Sequence, residues 1–153
     1  MTDPYQNQLL NTVSPCAAHF PVPGRIVCVL HARAEARGLS LAPFPSRAVL
    51  QHEIHELIIT AEQAAPGQTV NRIAYLAFFE VLESGILWAG DTLRLGEQTL
   101  GQLIGYDMTH MPNHMNIIVR VSEPLKTGLE LGLQLGQSLR FEHTPTPKKG
   151  DAA

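Results

Sequence analysis

Glycine recurs every few residues through the second half of the chain, at Gly85, Gly90, Gly96, Gly101, Gly105, Gly128, Gly132 and Gly136. An interior glycine costs a helix about 1 kcal/mol relative to alanine, so this spacing argues against long helices. It suits tight hairpins and strand bends in a small barrel. The expected fold is therefore mainly β: a small closed or partly open β-barrel with at most one or two short helices.

The apolar runs agree with that reading. Arg25–Leu30 is an apolar run following a Pro-Gly punctuator. Ala32–Arg37 is expected to form a helical turn, stopped by Gly38 and kept from continuing by Pro43 and Pro45. Glu53–Thr60 reads as a strand. Residues 70–82 are apolar on both alternating faces, with Ile73, Tyr75, Ala77, Phe79 and Val81 on one and Leu76 and Phe78 on the other. A strand covered on both sides is a central one. Residues 1–24 carry four prolines and read as an N-terminal arm. Residues 25–143 form the barrel domain, and residues 144–153 a disordered tail.

The chain has 153 residues, enough for one domain with its own core. Charged residues make up only 16%, below the usual ~25%. That deficit leaves apolar surface to cover, and a homo-oligomer or a covered barrel follows as an expectation. The net charge is −3, and no basic block exceeds Lys148-Lys149. Binding to nucleic acid draws on clustered cations that release counterions, so no nucleic-acid partner is expected. No apolar run approaches the ~18 residues of a membrane span, so no membrane association is expected either. Two cysteines, Cys16 and Cys28, make no disulfide framework. With no signal-peptide pattern at the start, a cytoplasmic location is the expectation.

A faint internal echo runs through the second half. Gly90-Asp91-Thr92-Leu93-Arg94-Leu95 matches Gly136-Gln137-Ser138-Leu139-Arg140-Phe141 in pattern. Each is a glycine turn, two polar residues and an apolar-Arg-apolar alternation that puts the arginines on one face. These two stretches, with Leu87-Trp88-Ala89, Leu103-Ile104-Gly105 and Thr127-Gly128, resemble the glucitol/sorbitol-specific IIA component of the bacterial phosphotransferase system. That resemblance implies a small β-barrel. The family's phospho-accepting histidine lies just upstream of the first glycine turn. Here that region, residues 75–83, contains no histidine, so the resemblance extends to the fold and not to the chemistry. The whole chain also resembles a small uncharacterised bacterial family with the same Pro-Asn-His and Gly-Asp features.

The segment Gly105–Asn116 concentrates the chemistry. It places Asp107, His110, Asn113, His114 and Asn116 within ten positions between two apolar strands, Leu100–Tyr106 and Met115–Val121. It is expected to be a hairpin loop, and loops on rigid scaffolds are where sites concentrate. His114 and Asn116 should project to one face, with Met115, Ile117 and Val119 on the other. Histidine and aspartate together can bind a divalent metal or move protons near neutral pH. The same side chains can equally satisfy the loop's own backbone groups.

A second cluster is His52-Glu53-Ile54-His55-Glu56. The zinc helix of metalloproteases needs histidines four apart, His-Glu-x-x-His. Here they are three apart, and on a strand His52 and His55 face opposite ways while Glu53 and His55 share a face. The candidate ligands for a divalent metal are His52, His55, His110 and His114. The peptide Met111–Ile118 also resembles the histidine motif of single-strand DNA transposases with a tyrosine nucleophile, but Asn116 stands where that motif has its second histidine. P-loop and nucleophile-elbow signatures are absent. Cys28, in an apolar strand, is expected to be a buried thiol.

The functional expectation is a barrel that binds a small polar molecule at Asp107, His110, Asn113, His114 and Asn116. The alternative is a small metal-assisted enzyme using His110 or His114 with Asp107. A third reading is a phosphotransferase-type carrier without the usual histidine.

Overall fold

A computed structural model describes residues 15–144. The expected tail falls almost entirely outside that range, as does the first part of the expected arm. The described residues form eleven strands and no helix. These are β1 (Val22–Ala34), β2 (Leu39–Ser40), β3 (Ser46–Val49), β4 (Ile54–Thr60), β5 (Thr69–Val70), β6 (Ile73–Val81), β7 (Gly85–Trp88), β8 (Thr92–Leu95), β9 (Gln98–Asp107), β10 (Asn116–Arg120) and β11 (Ser138–Glu142). Seven of them close a barrel in the order β1-β11-β8-β9-β10-β4-β6. Every ladder in it is antiparallel except β4 with β10. Closure removes the unpaired edges that an open sheet of this size would expose.

The first strand is longer than the sequence suggests. It begins at Val22 and runs through Pro23 and Gly24, opposite Phe141, Arg140 and Leu139 of β11. It then continues to Ala34 opposite β6. The helical turn expected at Ala32–Arg37 is therefore strand over its first half. Two register shifts, at Ile26/Cys28 and Val29/Ala32, bend β1 enough to follow the barrel wall. The first shift also turns Cys28 outward, and this thiol is exposed instead of buried.

β6 is the central strand the apolar pattern implied, paired with β1 on one side and β4 on the other. Its alternation is not uniform. The ladders skip Leu76, and both Leu76 and Ala77 face the main core. Ile73 and Tyr75 consequently lie on the outer side, while Phe79 and Val81 point in. The skip coincides with Gly128, where a Cβ would run into the backbone carbonyl of Leu76.

The interior holds one large cluster, including Ile26, Leu57, Ile59, Leu76, Phe79, Leu93, Tyr106, Ile117, Val119 and Phe141. Each such side chain contributes roughly 1.5–3 kcal/mol by burial. A smaller cluster of Leu39, Leu41, Ile58, Val70, Ile73 and Ile118 lies outside the barrel wall. It is roofed by the two-stranded ribbon of β2 and β5. β4, β6 and β10 are thus covered on both faces over part of their length, which accounts for their nearly continuous apolar sequences.

The two echo segments are neighbours in space. β8 and β11 pair antiparallel, with Arg140 opposite Arg94 and Phe141 opposite Leu93. Leu93 and Phe141 fill the core, and Glu142 lies between the two outward guanidinium groups, paired with both. Gly90 and Gly136 precede them with φ of 103° and 82°, a backbone region that other residues seldom enter.

Candidate functional site

The β9–β10 hairpin is where the sequence places it. Asn116, the first residue of β10, pairs with Asp107, the last of β9. Tyr106, Met115 and Ile117 belong to the interior cluster, so alternation carries Asp107, His114 and Asn116 to the outer wall. Asp107 serves the loop itself. Its Oδ1 accepts the backbone N–H of Thr109 at 3.1 Å and the Asn116 side-chain amide at 3.2 Å. Both Asp107 and Asn116 are almost fully buried. The loop backbone turns on His110, whose carbonyl accepts the N–H groups of Asn113 and His114.

His114 is the pivot of the site. Its Nδ1 is 2.8 Å from Nδ2 of Asn113. An amide nitrogen only donates, so Nδ1 accepts and the neutral ring carries its proton on Nε2. That Nε2 lies 3.7 Å from Oε2 of Glu56, a residue of β4. The ring is held between aromatic neighbours. It stacks on His110 with centroids 5.0 Å apart and meets the edge of Phe78 at the same separation. Parallel pairing of β4 with β10 sets Glu56 beside Asn116, and antiparallel pairing sets it beside Phe78.

Two polar atoms converge here. Nε2 of His114 and Oδ1 of Asn116 are buried and make no hydrogen bond of good geometry among the described residues, although the two side chains interact. Such atoms are rare in folded proteins, and each carries a cost of about 1–3 kcal/mol. Glu56, 8% exposed, lies beside them. Burial pushes its carboxyl above the ordinary glutamate range, opposed by the nearby His110 and Arg37 charges. Burial likewise pulls His114 below the ordinary histidine value; the charge of His110 adds to this, and a weak hydrogen-bonding contact with the Asn116 side chain opposes it. The Nε of Arg37 donates to the Tyr75 hydroxyl at 3.2 Å.

The remaining candidates divide. His110 joins His114 by stacking and is exposed, and Asn113 orients the His114 ring. His55 does not join this group. It lies on the core-facing side of β4, where its Nδ1 accepts the backbone N–H of Met115 at 3.0 Å. Burial, followed by the charges of Arg47 and His114, lowers its pKa against an opposing Glu53. That keeps the ring neutral, the form able to accept. Glu53 is 3.7 Å from His55 Nε2, on the shared face that alternation implies.

His52 is elsewhere. It sits in a turn before β4 with φ 75°, exposed, and pairs with Glu80 at 2.8 Å. The four histidines therefore do not form a common metal-ligand group among the described residues. What spacing could not reveal is Glu56. It was visible only as a member of a failed zinc motif, and the β4–β10 pairing brings it to His114.

A family model described as a family of unknown function (DUF6917) matches residues 16–142. The chain belongs to this family. The matched span contains Glu56, Phe78, Asp107, His110, Asn113, His114 and Asn116. No curated protein and no solved structure matches the chain. Among the described residues, no helix is long and apolar enough to cross a membrane.

Proposed function

We propose that this family member binds a small polar molecule in the outer-wall crevice between β4, β6 and the β9–β10 loop. The observation that carries the reading is the pair of buried atoms without a well-formed hydrogen bond, Nε2 of His114 and Oδ1 of Asn116, beside the Glu56 carboxyl. Together they offer one donor, one acceptor and one titratable oxygen. A hydroxyl or a carboxamide fits that set, because each both donates and accepts. The exposed ring of His110 and the half-buried ring of Phe78 flank the polar atoms with flat apolar surface, as small-molecule sites commonly do.

A panel of polyols, sugars and carboxamides, followed by NMR of the histidine rings and the Asn116 side chain, tests this. The expected result is a saturable shift at His114 and Asn116 for one chemical class. Asn116→Ala should weaken that binding by roughly ten-fold or more, the effect of removing one buried hydrogen-bond partner. If no compound in the panel moves these signals, the binding reading fails.

A second reading follows from the opposed shifts of Glu56 upward and His114 downward. Two groups whose environments bring their proton affinities together can exchange a proton, the arrangement used in general acid–base catalysis. In that case the bound molecule would be turned over, and His114→Gln would abolish turnover while leaving binding measurable.

A further inference from the structure

The segment leading into β1 and the end of β11 run side by side. Val22 pairs with Phe141, so Cys16 and His19 are carried next to His143. Donor atoms of Cys16, His19 and His143 all lie within 4.8 Å of one another. Asp91, in the turn between β7 and β8, joins them. Its Oδ1 is 2.9 Å from His19 Nε2 and 3.7 Å from His143 Nδ1. His143 Nδ1 is in turn 3.9 Å from Cys16 Sγ.

We propose that Cys16 Sγ, His19 Nε2, Asp91 Oδ1 and His143 Nδ1 form a structural site for one divalent ion of the zinc class, which clips both ends of the described chain to the β7–β8 turn.

Four features support this. The donor set is mixed sulfur, nitrogen and oxygen, the kind zinc accepts in closed four-ligand sites. Tetrahedral bonds of zinc length place neighbouring ligand atoms roughly 3.3–3.7 Å apart, and the separations here, 2.9, 3.7 and 3.9 Å with the Cys16, His19 and His143 donors within 4.8 Å of one another, straddle that range. The outer contacts already fix the ligands. Nδ1 of His19 is 2.7 Å from the carbonyl of Phe20 and must donate to it, while Oδ2 of Asp91 accepts the N–H of Trp88 at 2.9 Å. Metal-bound histidines and carboxylates are commonly held this way.

The fourth feature is a mismatch of lone pairs. With the proton of His19 on Nδ1, the neutral ring presents a bare nitrogen to the Asp91 oxygen, acceptor against acceptor. A second ring proton or a metal ion at that position resolves it, and only the metal would also engage Cys16 and His143. Asp91 is 1% exposed and His19 8%, so water has little room to do the same. Binding requires the Cys16 thiolate, and its proton leaves to solvent. The sequence offers a faint sign of the site in Cys16-x-x-His19, a short spacing typical of zinc ligand pairs.

The test uses the full chain purified without chelators. Elemental analysis should find about one zinc per chain, and removal followed by titration with zinc alone should restore it. Replacing zinc by cobalt(II) should give the absorption of a tetrahedral ion with a near-ultraviolet sulfur-to-cobalt band. Cys16→Ser should remove that band and keep weaker tetrahedral absorption. His19→Ala, Asp91→Asn and His143→Ala should each weaken zinc binding at least about ten-fold. His114→Ala, in the other site, should leave it unchanged. Circular dichroism monitors folding, and Cys16→Ser alone decides the matter if the other variants unfold. A chain that takes up no zinc on titration overturns the proposal, as does cobalt absorption that ignores Cys16→Ser.

Discussion

Nε2 of His114 stands 3.7 Å from Oε2 of Glu56, although the two residues belong to different strands joined by a parallel ladder. The gap is longer than a hydrogen bond and short enough for one polar atom of a ligand to bridge. Both groups are desolvated, and each shift disfavours its charged form.

That desolvation has a sign that can be measured. In the unfolded chain Glu56 ionises near 4.5, while the fold holds its proton to higher pH. Across that window the native state binds more protons, so stability falls as pH rises through the folded value. Glu56→Gln should therefore stabilise the protein at neutral pH, and the gain should disappear in acid below the unfolded value. Urea midpoints of both proteins across pH check this; a variant less stable than wild type at neutral pH contradicts it. The same substitution should weaken ligand binding in the crevice.

His55 acts in the opposite direction. Its folded pKa lies below the ordinary 6.5, so its contribution is complete above that pH. It is lost as pH falls from there through the folded value, because the unfolded chain then binds the extra proton. His55→Ala should cost about 1–3 kcal/mol at neutral pH, by orphaning the Met115 N–H, and should flatten the acid limb of the stability curve. Chemical denaturation between about pH 8 and pH 5 reads both effects.

Asp107 holds the loop and the Asn116 amide with one oxygen. Asp107→Ala should destabilise the fold by roughly 1–3 kcal/mol through two lost hydrogen bonds. It should also free the Asn116 side chain and weaken binding at the crevice without touching the ligand. Asp107→Asn keeps the acceptor oxygen and should recover most of both losses. Thermal unfolding combined with the NMR titration separates the two effects.

Gly128→Ala probes the barrel instead of the site. A Cβ there collides with the carbonyl of Leu76 and crowds that of Leu30, both of them backbone atoms that cannot rotate away. The substitution should cost about 3 kcal/mol or more, the upper range for overpacking. A melting temperature within a degree or two of wild type would contradict the close approach of the 122–137 loop to β6.

Much of the barrel is legible in the residues. Glycine spacing argues against long helices, the two-sided apolar run marks β6 as central, and Met115, Ile117 and Val119 face the core as alternation requires. Alternation fails only where the backbone adds a residue. The skip at Leu76 and the shift at Cys28 are β-bulges, and nothing in a period of two announces which residue will be left unpaired. The site divides the same way. The hairpin and its outward His114 and Asn116 follow from local pattern, and so does the Asp107 turn. Residue types on β4 alone determine that Glu56 and His55 face opposite ways. Which of them meets His114 is decided by the parallel pairing of β4 with β10, and the meeting of Cys16 and His19 with Asp91 and His143 by closure of β1 on β11. Local periodicity sets which face a side chain takes. Only long-range strand pairing sets what lies across from it, because its register depends on the burial of the whole core and not on any one segment.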